Sequence, residues 1–219
     1  MELYIDSANL KHIKETAELG FISGVTTNPS LLAKEDPSLD IKDLILDIHK
    51  TVGGHLSVEV NSTKADEMLK EADEILQWFP EATIKIPMIA EGLKAVNNLS
   101  KRNIPTNVTL IFSPTQAIAA NNAGATYVSV FMGRLDDISM DSEAILTEIT
   151  EIWDVNNYES KIISASIRHP NHVIQSARAG ADIATTPYKV LMQCLNHPLT
   201  DKGLDAFIAD HKKMIEAKG

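Results

Sequence analysis

One lysine lies in an apolar stretch that has the pattern of a buried strand. In Thr83-Ile84-Lys85-Ile86-Pro87 the two isoleucines flank Lys85, so the lysine faces the opposite side of the strand from them. Desolvation disfavours the charged form of an amine, and a neutral amine can attack a carbonyl carbon. This pattern is compatible with a Schiff-base nucleophile. The alternative is a structural lysine that Glu59 or Asp6 neutralises without any chemistry.

Two carboxylates and one hydroxyl occupy similar positions in other strand-like segments. Glu59 lies between two valines, and Asp6 and Thr109 each belong to an alternation of apolar and polar residues. Iminium formation, C–C cleavage and hydrolysis all move protons, and positioned acids and bases typically accelerate such steps about 10²–10⁴-fold. Asp6, Glu59 and Thr109 are therefore candidate catalytic partners of Lys85, with Thr109 as a possible holder of a water molecule.

The same alternation predicts that further polar residues and one phenyl ring share the lysine's side. They are Thr26, Asn28, Asn107, Ser129, Phe131, Ser164, Ser166 and Arg168. Arg134 and Arg168 follow two late strand candidates. A pair of arginines can bind a phosphate group by bidentate hydrogen bonds, so we expect a phosphate site there.

Eight strand candidates alternate with helical patterns and must position these residues. They begin near Leu3, Ser23, Leu56, Thr83, Pro105, Tyr127, Lys161 and Asp182. Repeated β-then-α units predict a parallel sheet, and eight of them can close into a (β/α)₈ TIM barrel of the α/β class. An open doubly wound sheet is the alternative, but no glycine-rich loop follows the first strand. We expect one domain over residues 1–219, with an extra C-terminal helix over about 201–217.

Helix periods and helix ends support this reading. Ala65, Met68, Leu69, Ala72, Ile75, Leu76 and Phe79 have helical spacing. Gly124 and Gly180 each stand between a helical pattern and the next strand, where glycine readily adopts the left-handed conformation that ends a helix.

Composition and charge narrow the classes of function. The formal net charge of −10 makes nucleic acid an unexpected partner. The N-terminus has no signal-peptide pattern, and no apolar run approaches the length of a membrane span. The single cysteine, Cys194, is compatible with a cytoplasmic location. His169 and His172 form no recognisable metal motif and are interpreted as surface residues, so we expect no metal and no cofactor.

Several motifs together resemble the small transaldolases and the related fructose-6-phosphate aldolases over nearly the whole chain. They are Tyr4-Ile5-Asp6-Ser7-Ala8-Asn9, Gly24-Val25-Thr26-Thr27-Asn28-Pro29-Ser30, Ile84-Lys85-Ile86-Pro87, Ala90-Glu91-Gly92-Leu93, Asn107-Val108-Thr109, Arg134-Leu135-Asp136 and Ala165-Ser166-Ile167-Arg168. The resemblance implies a (β/α)₈ barrel without metal, sugar-phosphate substrates, and a homo-oligomer that is often a pentamer or decamer.

The resemblance also implies a role for each candidate residue. Lys85 would form the Schiff base, Asp6 would act at the hydroxyl next to the broken C–C bond, and Glu59 and Thr109 would hold the catalytic water. The expected substrate-binding residues are Thr26, Asn28, Asn107 and Ser129 for hydroxyl groups, and Arg134, Ser166 and Arg168 for the phosphate.

Two positions distinguish the subfamilies. Glu59 together with Phe131 resembles transaldolases, whereas the aldolases tend to carry glutamine and tyrosine there. Phe131 offers no proton to an enamine, which favours transfer of a dihydroxyacetone unit from fructose 6-phosphate or sedoheptulose 7-phosphate to an acceptor such as erythrose 4-phosphate or glyceraldehyde 3-phosphate. The alternatives are an aldolase that releases free dihydroxyacetone and a non-catalytic sugar-phosphate binding protein. Retention of Lys85, Glu59, Asp6 and Thr109 argues against the latter.

Overall fold

Eight parallel strands form a closed barrel in chain order. The computed structural model describes residues 1–217, and its strands pair sequentially, with the last also pairing with the first. They are β1 (Glu2–Asp6), β2 (Gly24–Thr26), β3 (His55–Glu59), β4 (Thr83–Pro87), β5 (Thr106–Ile111), β6 (Tyr127–Phe131), β7 (Lys161–Ala165) and β8 (Ile183–Thr186). The predicted (β/α)₈ barrel is confirmed, and every strand begins within one residue of its predicted start.

Eleven helices accompany these strands within residues 1–217. They are α1 (Leu10–Glu18), α2 (Pro29–Leu32), α3 (Ile41–Val52), α4 (Ala65–Trp78), α5 (Ala90–Lys101), α6 (Pro114–Asn122), α7 (Met132–Asp136), α8 (Ser142–Asn156), α9 (Pro170–Arg178), α10 (Tyr188–Leu195) and α11 (Pro198–Glu216). The short α2 and α7 have no counterpart in the predicted pattern. The expected C-terminal helix is present as α11, which begins three residues before its predicted start.

Helix α3 illustrates how local sequence fixes an element. Asp40 caps its N-terminus by accepting hydrogen bonds from two backbone N–H groups, and Gly53 ends it in the left-handed conformation at φ 67°. Leu44, Ile45 and Ile48 are buried on one face. Burying side chains of this size typically contributes about 1.5–3 kcal/mol each, so packing against the barrel outweighs any intrinsic helix preference.

The two predicted glycine turns are also observed. Gly124 follows α6 with φ 94°, and Gly180 follows α9 with φ 84°. Both values lie in the left-handed region, which residues with a Cβ atom rarely adopt. Each glycine therefore lets the chain leave its helix and enter the next strand.

The amino-terminal end of the barrel interior is filled by side chains that we call the floor: Tyr4, His55, Tyr127, Ile163 and Ile183. Tyr4, Ile163 and Ile183 form a separate buried cluster, against which Tyr127 packs. The ring of His55 stacks on that of Tyr4 and meets that of Tyr127 edge-on. A Cβ atom on Gly24 would approach the Tyr4 ring to 2.8 Å, so the missing side chain makes room for that ring.

No helix within residues 1–217 is long and apolar enough to cross a bilayer. Helix α11 has an exposed apolar face, on which Leu199, Leu204 and Phe207 are each more than half exposed. Within the described residues, α11 has no buried residue. It therefore adds little to the packing around the barrel.

Candidate active site

A cavity of about 560 Å³ opens at the carboxyl ends of the strands, opposite the floor. Eleven of the twelve candidate residues line it: Asp6, Thr26, Asn28, Glu59, Lys85, Thr109, Ser129, Phe131, Arg134, Ser166 and Arg168. This end of a (β/α)₈ barrel carries the active site in characterised enzymes of this fold. Residues that are far apart in sequence are thus brought around one space.

Lys85 lies at the inner wall of the cavity with only 5% of its surface exposed. Its Nζ donates to the backbone oxygen of Thr27 at 3.0 Å and lies 3.0 Å from Oε2 of Glu59. Glu59 is the direct neighbour of Lys85 in the β3–β4 register. The amine is therefore inside the barrel, beside a carboxylate that can exchange a proton with it.

Asp6 is the second carboxylate of the cavity. Burial raises its pKa above the ordinary value, while the charge of Lys85 and a hydrogen bond from Thr26 act in the opposite direction. The Thr26 hydroxyl donates to Asp6 Oδ1 at 2.8 Å. Because that hydroxyl has one proton, Thr185 is the donor in the 2.6 Å contact between the two threonines when Asp6 is ionised. A raised pKa makes Asp6 better suited to both accept and return a proton near neutral pH.

Thr109 faces the cavity at an irregularity of β5. The pairing of β5 with β6 shifts register between Val108 and Ile111, and Leu110 has a left-handed φ of 63°. This bulge turns Leu110 toward the same cavity that Thr109 lines. The Thr109 hydroxyl is buried and has no hydrogen-bond partner among the described residues, so it is available to hold a bound water or a substrate group.

Asn107 is the one candidate that does not line the cavity. Its side chain is fully buried below the cavity and hydrogen-bonds to two hydroxyl groups, those of Ser57 and Ser129. Ser129 does reach the cavity. Any influence of Asn107 on a bound ligand in this structure would therefore pass through Ser129.

The predicted orientation of β7 is wrong for Ser164. Its hydroxyl faces the helices, where it contacts Ser176 Oγ at 2.6 Å and Met132 Sδ at 2.8 Å. Ala165 lines the cavity instead. Ser166 lies beyond the strand end with a φ of 58°, and this left-handed residue changes the alternation so that Ser166 still reaches the cavity.

The two arginines lie in segments that follow two adjacent strands, β6 and β7, at the rim. Arg134 is in α7, with its guanidinium carbon 5.2 Å from the centroid of the Phe131 ring. Arg168 Nη2 lies 2.9 Å from Asp137 Oδ2. Close packing joins the two segments, since Gly133 N donates to Ser166 O. Two cations and a serine hydroxyl in this arrangement suit a phosphate group.

The prediction of His172 as a surface residue is wrong, because only 1% of it is exposed. Its Nδ1 accepts a hydrogen bond from the backbone N–H of Arg168, so its Nε2 is the donor in the 2.7 Å contact with Asp136. Burial lowers the pKa of His172 below the ordinary value, with the neighbouring Asp136 acting in the opposite direction. His169 is exposed, as predicted, and caps α9.

Sequence reasoning did not assign a site role to four lining residues that carry polar groups or special backbone. They are Ser30, Lys34, Leu110 and Thr185. A threonine alternation in β8 could have revealed Thr185, but no pattern distinguishes Lys34 from a solvated lysine. Across residues 1–217 there is no cluster of three or more His, Cys, Asp or Glu side chains arranged to hold a metal ion.

Comparison with known proteins agrees with this geometry. The chain is 54% identical over 214 residues to a probable transaldolase of Moorella thermoacetica, covering 98% of this chain and 99% of that protein. It is 51% identical over 216 residues to a probable transaldolase of Alkaliphilus metalliredigens, covering 99% and 100%. A thiamine phosphate pyrophosphorylase from Pyrococcus furiosus shares the fold alone, with a TM-score of 0.61, 11% identity and 85% coverage of both chains. The sequence profile of the transaldolase/fructose-6-phosphate aldolase family matches residues 3–218, and the chain belongs to that family.

Proposed function

We propose that this protein is a Schiff-base transaldolase that moves a dihydroxyacetone unit from a ketose phosphate to an aldose phosphate. The observation that carries the proposal is a buried lysine nitrogen in a polar cavity, 3.0 Å from the Glu59 carboxylate. Fructose 6-phosphate and sedoheptulose 7-phosphate are the proposed donors. Erythrose 4-phosphate and glyceraldehyde 3-phosphate are the proposed acceptors, and the reactions belong to the pentose phosphate pathway.

In the first step, Lys85 Nζ attacks the C2 carbonyl carbon of the ketose phosphate. Glu59 takes the proton that the ammonium group must lose, since its Oε2 lies within hydrogen-bond distance. Loss of water from the resulting carbinolamine gives an iminium ion, with the substrate carbon now joined to Nζ. The cationic nitrogen then acts as the electron sink for the following cleavage.

Asp6 is the proposed base for the C–C bond cleavage. Its carboxylate takes the proton of the C4 hydroxyl, the C3–C4 electron pair moves into the iminium system, and the aldose phosphate leaves. A three-carbon enamine remains on Lys85. When an acceptor aldehyde enters, the enamine carbon attacks it and Asp6 returns its proton to the new hydroxyl. The raised pKa of Asp6 suits both transfers.

Release of the product requires a water molecule at the iminium carbon. The buried Thr109 hydroxyl lacks a protein partner, and Glu59 lines the same cavity. We assign them together to holding and activating that water. Asn28 and Ser129 would bind substrate hydroxyls, with Thr26 supporting Asp6, and Arg134, Ser166 and Arg168 would bind the phosphate.

Reductive trapping tests the Schiff base. Borohydride reduction of the protein with a ketose phosphate should leave a stable three-carbon adduct, because the three-carbon intermediate persists without an acceptor and hydride adds to the carbon of its iminium form. Peptide mass spectrometry should locate the adduct at Lys85. Lys85→Ala should abolish the adduct and nearly all turnover, whereas Lys94→Ala, at a lysine with 68% side-chain exposure, should change neither. Full activity in Lys85→Ala would refute the proposal.

Phe131 supports transfer over release of free dihydroxyacetone. Its phenyl ring lines the cavity and has no proton to give to the enamine. We therefore expect Phe131→Tyr to increase the formation of free dihydroxyacetone in the absence of acceptor. Rapid release by the unaltered enzyme without acceptor would instead favour the aldolase, and tight ligand binding without turnover would favour a sugar-phosphate binding protein.

We also propose that the enzyme is a cytoplasmic homo-oligomer, a pentamer or decamer, in which α11 contacts a neighbouring copy. The support is the exposed apolar face of α11, including Leu204 and Phe207. Light scattering on the full chain and on a chain ending before Asp201 tests the assembly. An unchanged oligomer after truncation would refute the role of α11.

A further inference from the structure

A chain of hydrogen bonds runs from the floor of the barrel to the cavity. His55 Nε2 and Ser57 Oγ are 2.7 Å apart, and Asn107 Nδ2 donates to the same Ser57 oxygen at 3.0 Å. Asn107 Oδ1 in turn accepts from the Ser129 hydroxyl at 2.7 Å. Three strands, β3, β5 and β6, contribute these four residues. Only Ser129, the last member, lines the cavity.

With the Asn107 amide in the orientation that this structure has, one arrangement gives the Ser57 hydroxyl proton an acceptor. The Ser57 oxygen already accepts a hydrogen bond from the Asn107 amide N–H, so its own hydroxyl proton is available for a hydrogen bond to His55. The imidazole is neutral, because burial between the floor residues lowers the pKa of His55 to about 4, with Glu2 and Lys161 acting in opposite directions. A neutral imidazole with its proton on Nδ1 accepts at Nε2. Ser129, Asn107 and Ser57 then all donate toward the floor.

This direction determines what Ser129 can do. Its single proton is used on Asn107, so its oxygen presents only lone pairs to the cavity. Such a serine accepts a hydrogen bond from a substrate hydroxyl and offers nothing to a phosphate or carbonyl oxygen. The fully buried Ser57 and Asn107 have no route to solvent through which their groups could be satisfied in another way.

We propose that His55, Ser57 and Asn107 are positioning residues that fix Ser129 as a hydrogen-bond acceptor for a substrate hydroxyl. The proposal rests on the transaldolase function inferred above. In this proposal, the floor of the barrel helps to orient the substrate, although it lies at the end opposite the cavity. None of these three residues lines the cavity, so in the proposal each acts through the next.

His55 is the position at which the proposal can be tested without altering the cavity. His55→Phe keeps a ring for packing against Tyr4 and Tyr127 but removes the acceptor for Ser57. We expect kcat/KM for a ketose phosphate to fall about 3- to 10-fold, the equivalent of one net hydrogen bond. His55→Gln places an amide oxygen near the position of Nε2 and should recover most of the loss.

A double-mutant cycle distinguishes this role from a general loss of stability. In a Ser129→Ala background, His55→Phe should produce no further decrease in kcat/KM, because the residue through which it acts is gone. Additive losses would overturn the proposal. Ile163→Val is the matched control in the floor: it should lower the free energy of unfolding by about 0.5–1.5 kcal/mol and leave kcat/KM unchanged.

Ser57→Ala and borohydride trapping complete the test of the positioning role. If His55→Phe does not fold, Ser57→Ala removes the middle link with a smaller change of volume and should produce the same non-additive loss with Ser129→Ala. Borohydride trapping on the unaltered enzyme separates the two proposals. Trapping at Lys85 with unchanged kcat/KM in His55→Phe and Ser57→Ala refutes only the positioning role, whereas absence of trapping refutes the Schiff-base function itself.

Discussion

The two ends of the barrel interior are built on the same strands but from different residues. At the floor, Tyr4, Ile163 and Ile183 form a buried apolar cluster closed by aromatic rings. At the cavity end, the same strands and their neighbours present Asp6, Lys85 and Ala165 around an open space. The alternation of β-strands turns every second residue inward at both ends. Distance along the strand therefore decides whether an inward residue fills space or meets a ligand.

Of the changes that distinguish the two ends, Asp6→Asn at the cavity end should have the largest effect, and this effect is on turnover. The amide cannot take the proton of the substrate hydroxyl, so turnover should fall about 10²–10⁴-fold. Attack by Lys85 does not require Asp6, and borohydride should still trap the substrate on the lysine. Steady-state kinetics and quantitative trapping measure the two steps. Normal turnover in this variant would refute the role of Asp6 as the base for C–C bond cleavage.

At the floor, Gly24→Ala should affect stability. The new methyl group would meet the buried Tyr4 ring at 2.8 Å, and overpacking of this kind typically costs about 1–3 kcal/mol. Gly203→Ala in α11 is the control, since an added Cβ there has no heavy atom within 4 Å. That change should be neutral or stabilising by about 0.5–1 kcal/mol, as expected for glycine in a helix. Urea unfolding measures the stability of both variants. Equal stabilities of Gly24→Ala and Gly203→Ala would contradict the close packing of Gly24 against Tyr4.

The charge of Asp6 should have a smaller effect, on how the free energy of unfolding depends on pH. Its pKa is raised in the folded protein above the ordinary 3.8, so the folded state binds the proton more tightly than the unfolded state. The resulting stability is present at low pH and is lost as pH rises through the folded pKa. Asp6→Asn should therefore be more stable than the unaltered protein near pH 8, and this difference in stability should disappear as the pH falls toward 3.8. Urea unfolding over this pH range tests it, and a pH-independent difference would contradict the buried charge.

The regular parts of the molecule were accessible from the sequence. Strand starts and the inward direction of Lys85 follow from alternation, which has a fixed period of two residues. Gly124 and Gly180 mark helix ends because a left-handed backbone strongly favours glycine. The same reasoning places Glu59 beside Lys85 once adjacent strands are aligned, as the observed register shows.

The irregular parts were not accessible in this way. A bulge at Leu110 and a left-handed Ser166 interrupt the alternation, and neither leucine nor serine predicts such a conformation. The alternation predicts the wrong side for Ser164, because a serine hydroxyl can also find a hydrogen-bond partner on a helix, here Ser176. His172 is buried by a pairing with Asp136 that is 36 positions away, and such long-range partners leave no local signal.

Barrel closure has a consequence for the synthesis of the protein on the ribosome. The hydroxyls of Thr26 and Thr185 meet at 2.6 Å although 159 positions separate them, and the first of them hydrogen-bonds to Asp6. The surroundings of Asp6 are thus incomplete until β8 has been translated and has paired with β1. Such non-local pairing is the slow part of folding. A nascent chain that ends before β8 therefore carries Lys85 and Asp6 without the finished cavity around them, and the complete site can form only near the end of translation.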